Sequence, residues 1–210
     1  MRLLKIICLL APLALAACGA KSVYAPEEEV RKAAFVSEEP PSVTLYTVIR
    51  KPSGAGGHSG LLINGTERVM FDPAGSWYHP FVPERNDVHY GITERMRKFY
   101  IDYHARETWD VLEQKVPVTL AQAEALRARA EAYGPVSKMF CASATSSILR
   151  GVPGFESLPA TMSPIKLSKA FRALPGATER LYEDGDPENN TGVLMTQIEH
   201  PNHALRDVGF

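Results

Sequence analysis

Apolar and polar residues alternate along several stretches of the chain, and the alternation predicts strands. Residues 42–50 alternate and are rich in β-branched side chains, which predicts the first strand. A hairpin follows, with one strand over 58–63, a turn at Asn64-Gly65 and a return strand over 67–71. The segment 51–57 between the first strand and the hairpin is rich in Gly, Ser and Pro, which predicts a loop.

Helices are predicted from caps and breaks. Thr119 with Gln122 three residues later is typical of a capping box, and Gly134 is typical of a helix end. Small and apolar residues over 141–150 predict a second helix, bounded by the breaks at 133–136 and 151–154. Ser163-Pro164 predicts the start of a third helix, which runs to about residue 174.

The remaining stretches are less regular. Residues 72–93 predict a long irregular segment, aromatic and polar, of a length typical of one wall of a cleft. Residues 96–107 fit either a helix or a strand, 108–118 alternate as a strand, and 191–198 predict a last strand.

The N-terminus has the features of a targeting segment. A basic start is followed by an apolar run over 6–17 that is too short to span a bilayer comfortably. The run closes with Leu15-Ala16-Ala17-Cys18, which resembles the lipobox of bacterial lipoproteins. The resemblance implies that 1–17 are a signal peptide and that Cys18 becomes the lipidated first residue. Gly19 after it implies an envelope protein on the periplasmic face, at the outer rather than the inner membrane.

Residues 18–41 are then expected to be the lipidated cysteine and a flexible tether, because they are acidic, carry few large apolar side chains and show no clear period. A single domain is expected over 42–210. The chain has 210 residues, a formal net charge of -1 and no Lys/Arg-rich run, so the sequence gives no electrostatic support for nucleic-acid binding.

Of the three cysteines, Cys8 leaves with the signal peptide and Cys18 is lipidated, so Cys141 remains as the one free thiol. A free thiol in an oxidising compartment is either buried or used. Cys141 follows the break at 133–136 and is expected in the first turn of its helix, where the helix dipole lowers the pKa of a thiol. Two interpretations stay open: a nucleophile, or a small buried apolar side chain.

Among six histidines, His58 is the best partner base, because it begins a core strand, follows a Gly-rich loop and precedes small residues. The third polar residue is expected on the return strand. A three-residue hairpin loop (64–66) places Asp72 opposite His58, whereas a two-residue loop places Phe71 there. Asp72 before Pro73 is also a common start of a turn.

The order of these residues along the chain resembles that in a known family: His58 comes first, a polar residue follows the next strand, and Phe140-Cys141 stands at a helix start. The family is the circularly permuted branch of the NlpC-type papain-like cysteine hydrolases, which includes lecithin retinol acyltransferase-like proteins. The resemblance covers roughly residues 42–150. It implies an α+β, papain-like fold in which a small antiparallel sheet packs against helices, one of which carries Cys141. It also implies catalysis by Cys141, His58 and Asp72 without a cofactor.

What the resemblance implies chemically is attack of a thiolate on an amide or ester in the envelope, either a peptidoglycan peptide bond or a lipid acyl group, ending in hydrolysis or acyl transfer. Two rival hypotheses remain. One is a non-catalytic lipoprotein that binds a ligand or partner, with Cys141 buried; the other is a metal-dependent hydrolase using His58, Asp72 and His79. We expect His104 at the surface and 184–190 as a solvated turn.

Overall fold

The structure, a computed structural model, describes residues 20–190. Cys18 and the strand predicted over 191–198 lie outside the described residues. The helices are α1 (Glu27–Ala33), α2 (Glu94–His104), α3 (Leu120–Tyr133), α4 (Cys141–Arg150) and α5 (Pro164–Phe171). The strands are β1 (Ser42–Arg50), β2 (Ala55–Asn64), β3 (Arg68–Phe71), β4 (Glu84–Arg85), β5 (Val88–Tyr90), β6 (Trp109–Pro117) and β7 (Thr178–Tyr182).

The strands form one seven-stranded sheet in the order β4-β5-β3-β2-β1-β6-β7, and every neighbouring pair is antiparallel. The α+β class predicted from the sequence is therefore confirmed. The strands predicted over 42–50 and 108–118 are also confirmed, as β1 and β6, and they pair side by side in the interior of the sheet.

Both faces of the sheet are covered, because successive side chains of β1 point to opposite faces and both sets are buried. Val43 and Leu45 belong to the core that α3, α4 and α5 cover, together with Val30 of α1. Tyr46 and Val48 belong to a second core, which is rich in aromatic residues and is covered by α2. The candidate site described below lies where the end of β2 meets both layers.

The helix caps are as predicted. Thr119 and Gln122 form a complete capping box at the start of α3, and Gly134 follows its last residue. Ser163 caps α5, and Pro164 stands at its first position.

The segment that fitted either a helix or a strand is the helix α2, whose N-cap Thr93 accepts a hydrogen bond from the Met96 N–H. The sequence pattern of α2 was ambiguous because aromatic residues are common in strands. Here they pack against the sheet from a helix instead.

The tether expected over 18–41 is wrong for most of its length. Residues 27–33 are the helix α1, and its Val30 is buried in the core. The backbone N–H of Arg68 donates to the carbonyl of Phe35, and the fully buried Arg68 guanidinium donates to the Ser37 hydroxyl and lies over the Phe35 ring. A few apolar side chains and one buried cation therefore hold a segment whose composition is that of a linker.

Two other predictions need correction, and one strand was missed. The irregular stretch expected over 72–93 contains the hairpin β4–β5, which extends the sheet at one edge. The loop expected over 51–57 is shorter, because β2 already begins at Ala55. The opposite edge strand, β7, was not predicted at all: four of its five residues are exposed, so it carries no apolar pattern.

Candidate active site

Cys141 is the first residue of α4, as predicted, and Phe140 is its N-cap. Ala142 and Ala144 are fully buried, and these small side chains allow the start of the helix to pack against β2. Met139 just before the helix has a φ of 74°, which is rare for a residue with a side chain and sharpens the turn into the helix. The Cys141 residue is 7% exposed.

Three groups stabilise negative charge on the Cys141 sulfur. Burial alone would raise the pKa of the thiol, but a hydrogen bond from His58, the positive charge of His58 and the backbone N–H groups of Ser59 and Ala142 lower it below its ordinary value. The Ser59 N–H can donate to the sulfur because β3 pairs with β2 only from Leu61 to Asn64 and does not reach Ser59. The arrangement favours a thiolate.

His58 and Asp72 are in direct contact: His58 Nε2 lies 2.6 Å from Asp72 Oδ1. Burial opposes the charged imidazole, yet the Asp72 carboxylate, with a smaller contribution from Cys141, raises the pKa of His58 to about 10. Burial likewise opposes the charged carboxylate, and the positive His58 nevertheless holds the pKa of Asp72 well below its usual range. Since Nε2 is used by Asp72, Nδ1 is the ring nitrogen left for the Cys141 sulfur.

The hairpin register explains the contact between His58 and Asp72. Asn64 pairs with Arg68 and Leu61 with Phe71, so the loop is 65–67 and neither of the two registers considered from the sequence is correct. Continued by one residue, the observed register places Gly60 opposite Asp72. Because 58 and 60 share a face of β2, His58 and Asp72 are diagonal neighbours on one face. Both therefore lie on the α2 side of the sheet.

The Gly-rich segment before His58 has a packing reason. A Cβ on Gly57 would lie 2.5 Å from the Trp109 ring. Glycine at this position therefore allows the Trp109 side chain to pack against the first residues of β2. The β1–β2 register shifts at the same point, between Val48 and Ile49. Trp109 and this irregularity therefore both lie directly beside His58.

Tyr100 of α2 is a site residue that the sequence did not reveal. It is fully buried, and its hydroxyl donates a hydrogen bond of 2.7 Å to Asp72 Oδ1. The available signal was a Tyr in a stretch that fitted both helix and strand. Only the packing of α2 over the far face of the sheet brings that hydroxyl to Asp72.

His104 is also at the site, and its expected place at the surface is wrong. Its ring is stacked parallel to the ring of His58 at 5.6 Å, and its Nδ1 lies 2.8 Å from the Tyr100 carbonyl oxygen. Burial is the main cause that lowers the pKa of His104 to about 4, with the positive His58 acting in the same direction. His104 therefore stays neutral next to a charged His58.

The depressed pKa of His104 predicts how stability depends on pH. A histidine whose folded-state pKa is about 4 rather than 6.5 stabilises the fold above pH 6.5, and this stability is lost as the pH falls toward 4. Between pH 6.5 and pH 4, the unfolding free energy of the wild type should fall by up to about 3 kcal/mol because of His104. We expect this part of the fall to be absent in His104→Gln. Urea unfolding at several pH values measures it; parallel curves for variant and wild type would contradict the prediction.

His58, Asp72 and His104 place one ligand atom each within 4.8 Å of one another, and so do Asp102, Asp184 and Asp186. These are the described groups that have the residue types and spacing to hold a metal ion. His79, the third ligand in the metal hypothesis, is not in the first group; its ring packs against Phe99. At the site, the Asp72 oxygen nearest to His58 is already shared by two hydrogen-bond donors.

A cavity of about 200 Å³ opens to solvent beside His58. Its walls include Val48, Ser76, Tyr103, His104, Trp109 and Glu188. Glu188 belongs to the segment expected to be a solvated turn, and most residues of this segment are exposed, although it also contacts the rest of the domain. Glu188 accepts a hydrogen bond from the Thr108 N–H, and Asp186 pairs with the buried Arg106. The segment thus forms one side of the cavity.

No protein-family model, curated protein or solved structure matches the chain. Within residues 20–190, no helix has both the length and the apolar character that crossing a bilayer requires.

Proposed function

We propose that this protein is a cysteine hydrolase or acyltransferase that attacks an amide or ester through Cys141. One observation carries the proposal: the sulfur of Cys141, at the start of α4, is hydrogen-bonded to His58, whose other ring nitrogen lies 2.6 Å from the buried Asp72 carboxylate. A nucleophile, a base and a group that orients the base are the parts that covalent acyl transfer needs.

The chemistry follows from the charges at the site. The Cys141 thiolate attacks the acyl carbon, and the backbone N–H of Cys141, which has no partner within the helix, donates to the developing oxyanion. The His58 imidazolium gives its proton to the leaving group, which yields a thioester on Cys141. Neutral His58 then takes a proton from water or from an acceptor alcohol or amine as that molecule attacks the thioester. The acyl group leaves on the water, alcohol or amine, and the Cys141 thiolate and the His58 imidazolium are restored.

The position of the cavity fits this sequence of steps. It borders His58, the residue that must protonate the leaving group, so the leaving part of the substrate has space there. In this proposal the protein is anchored in the bacterial envelope through a lipid on Cys18, and its domain is of the permuted papain-like type. The substrate is a peptidoglycan peptide bond or a lipid acyl group.

A non-catalytic lipoprotein is the second candidate, and the low exposure of Cys141, 7%, is the observation in its favour. A purely structural buried cysteine, however, has a raised thiol pKa. Here the contacts with His58 and two backbone N–H groups lower it instead. These contacts favour the enzyme over the binding protein.

The test uses the full chain and p-nitrophenyl acetate, a small activated ester that asks little of substrate recognition. We expect release of nitrophenol and an acetyl group on the Cys141 peptide, found by mass spectrometry. Cys141→Ala should abolish both, and Ser147→Ala, an exposed change on the same helix, should abolish neither. Hydrolysis that survives Cys141→Ala, or that a chelator removes, would reject the proposal.

A further inference from the structure

We propose that Tyr100 is a positioning residue of the site: its hydroxyl holds the Asp72 carboxylate in the orientation that His58 needs. The inference rests on the proposed function, since it assigns a role within the Cys141, His58 and Asp72 series. It adds to this series a fourth residue, from a helix on the opposite face of the sheet from α4.

The first observation is that two donors meet on one oxygen. Asp72 Oδ1 lies 2.6 Å from His58 Nε2 and 2.7 Å from the Tyr100 hydroxyl. Asp72 is 1% exposed, so water does not compete for this oxygen. A carboxylate that accepts from two fixed donors at one oxygen cannot rotate without losing one of the two bonds. The Tyr100 hydroxyl therefore fixes the plane of the carboxylate relative to the imidazole.

The second observation is that β2 has a gap that fits this hydroxyl. A Cβ on Gly60 would lie 2.5 Å from Tyr100 Oη and 3.4 Å from Asp72 Oδ1. Any residue other than glycine at this position would push the hydroxyl away from Asp72. The glycine two residues after His58, one of the small residues noted in the sequence, thus has a physical reason: it admits the Tyr100 hydroxyl to the site.

The third observation is that Tyr100 is itself held firmly. Its ring contacts the rings of Tyr46 and Trp77, with centroids 5.4 and 5.6 Å away, and its carbonyl oxygen is bonded to His104 Nδ1. Burial, with the nearby Asp72 charge, raises the pKa of Tyr100 well above its ordinary value, so the hydroxyl stays protonated and donates at every pH of interest.

Removing the hydroxyl has a defined electrical consequence. The hydrogen bond from Tyr100 takes up part of the negative charge on the oxygen that His58 also uses, so Tyr100→Phe leaves more of that charge to the imidazolium. Other titratable side chains that interact with Asp72 are those of His104, His89 and Asp87, and the change leaves them in place. We expect His58 to become more basic, by about half a pH unit.

The pH profile of Cys141 alkylation by iodoacetate measures this shift without a known substrate. The rate rises with pH as the thiolate forms, and it falls again as His58 loses the positive charge that attracts the anionic reagent. Peptide mass spectrometry on the full chain separates Cys141 from Cys8 and Cys18. In Tyr100→Phe, we expect the alkaline limb to move upward by about half a unit.

Tyr46→Phe is the matched control. Tyr46 is equally buried and touches Tyr100, but its hydroxyl donates to Glu113 rather than to Asp72. Loss of a buried tyrosine hydroxyl as such is thus present in both variants, and only Tyr100→Phe changes the site. An alkaline limb that stays in place in Tyr100→Phe, or moves equally in Tyr46→Phe, would overturn the inference and leave the Cys141–His58 pair intact.

Gly60→Ala approaches the same bond from the other side, and it keeps the test decisive if Tyr100→Phe folds poorly. The added methyl group displaces the hydroxyl, so we expect the same upward shift of the alkaline limb. We also expect Gly60→Ala to lower the melting temperature less in the presence of Tyr100→Phe than alone, because the clash is then gone. Additive losses would contradict the packing on which the inference rests, whereas a wild-type thiol that never forms a thiolate would reject the proposed function itself.

Discussion

We expect the replacement of His58 by alanine to slow the alkylation of Cys141 by iodoacetamide at pH 6 on the order of 100-fold. In the wild type, His58 donates a hydrogen bond and a positive charge to the sulfur, and its pKa of about 10 keeps it charged throughout this range. Without it, burial acts alone and the thiol returns to a pKa of about 8.5 or higher, with a thiolate fraction at pH 6 on the order of 0.3% or less.

Peptide mass spectrometry over time gives the rate for Cys141 alone. His104→Gln is the control, because it removes a neighbouring imidazole that is stacked on His58 but is not among the groups that lower the Cys141 pKa. Its rate should stay within a few-fold of the wild type. A rate in His58→Ala equal to that of the wild type would mean that the sulfur is not activated by this histidine.

We expect the replacement of Asp72 by asparagine to convert His58 from a charged to a neutral group near pH 7. The side chain keeps its shape and an oxygen acceptor, but the charge that raises the pKa of His58 to about 10 is gone, and burial then lowers this pKa below about 6.5. We expect the alkaline limb of the iodoacetate profile to move down by about three pH units and the rate at pH 7 to drop roughly tenfold or more.

The same change alters the pH dependence of stability. Because the folded-state pKa of His58 is raised from 6.5 to about 10, its pairing stabilises the wild type fully below pH 6.5, and this contribution fades as the pH rises toward 10. The Asp72→Asn variant should lack this decline. The control is Asp110→Asn, which removes a carboxylate on β6 that pairs with Lys51. An alkaline limb unchanged by Asp72→Asn would show that Asp72 does not set the charge of His58.

The nucleophile and its partner could be found in the sequence because local chemistry marks them. A break before Cys141 and small residues after it define the start of a helix, and glycines before His58 define a strand end that other elements approach closely. The relation of His58 to Asp72 was less secure, because it depends on hairpin register. The observed loop differs from both loops considered, yet it puts His58 and Asp72 on the same face, as the three-residue loop does and the two-residue loop does not, and the face decides the contact.

Tyr100 and His104 could not be found in this way. Their roles depend on how α2 lies across the sheet, which joins residues more than 25 positions apart through packing that no short pattern encodes. The folded N-terminal segment escaped for a related reason. Val30 and Phe35 are sparse apolar residues among charged ones, and their importance appears only with the sheet surface and the buried Arg68 that receive them.

That folded segment would also limit how far the domain can move if Cys18 carries the lipid that the lipobox predicts. The Ser22 hydroxyl donates to the Asn86 side chain and the Val23 carbonyl accepts from the Asn86 N–H, so the chain is attached to the sheet edge from Ser22 onward. Four residue steps from Cys18 to Ser22 span at most about 14 Å. A lipid on Cys18, as the lipobox predicts, would hold the β4 edge beside the bilayer, and the proposed enzyme would then act on bonds near the membrane surface.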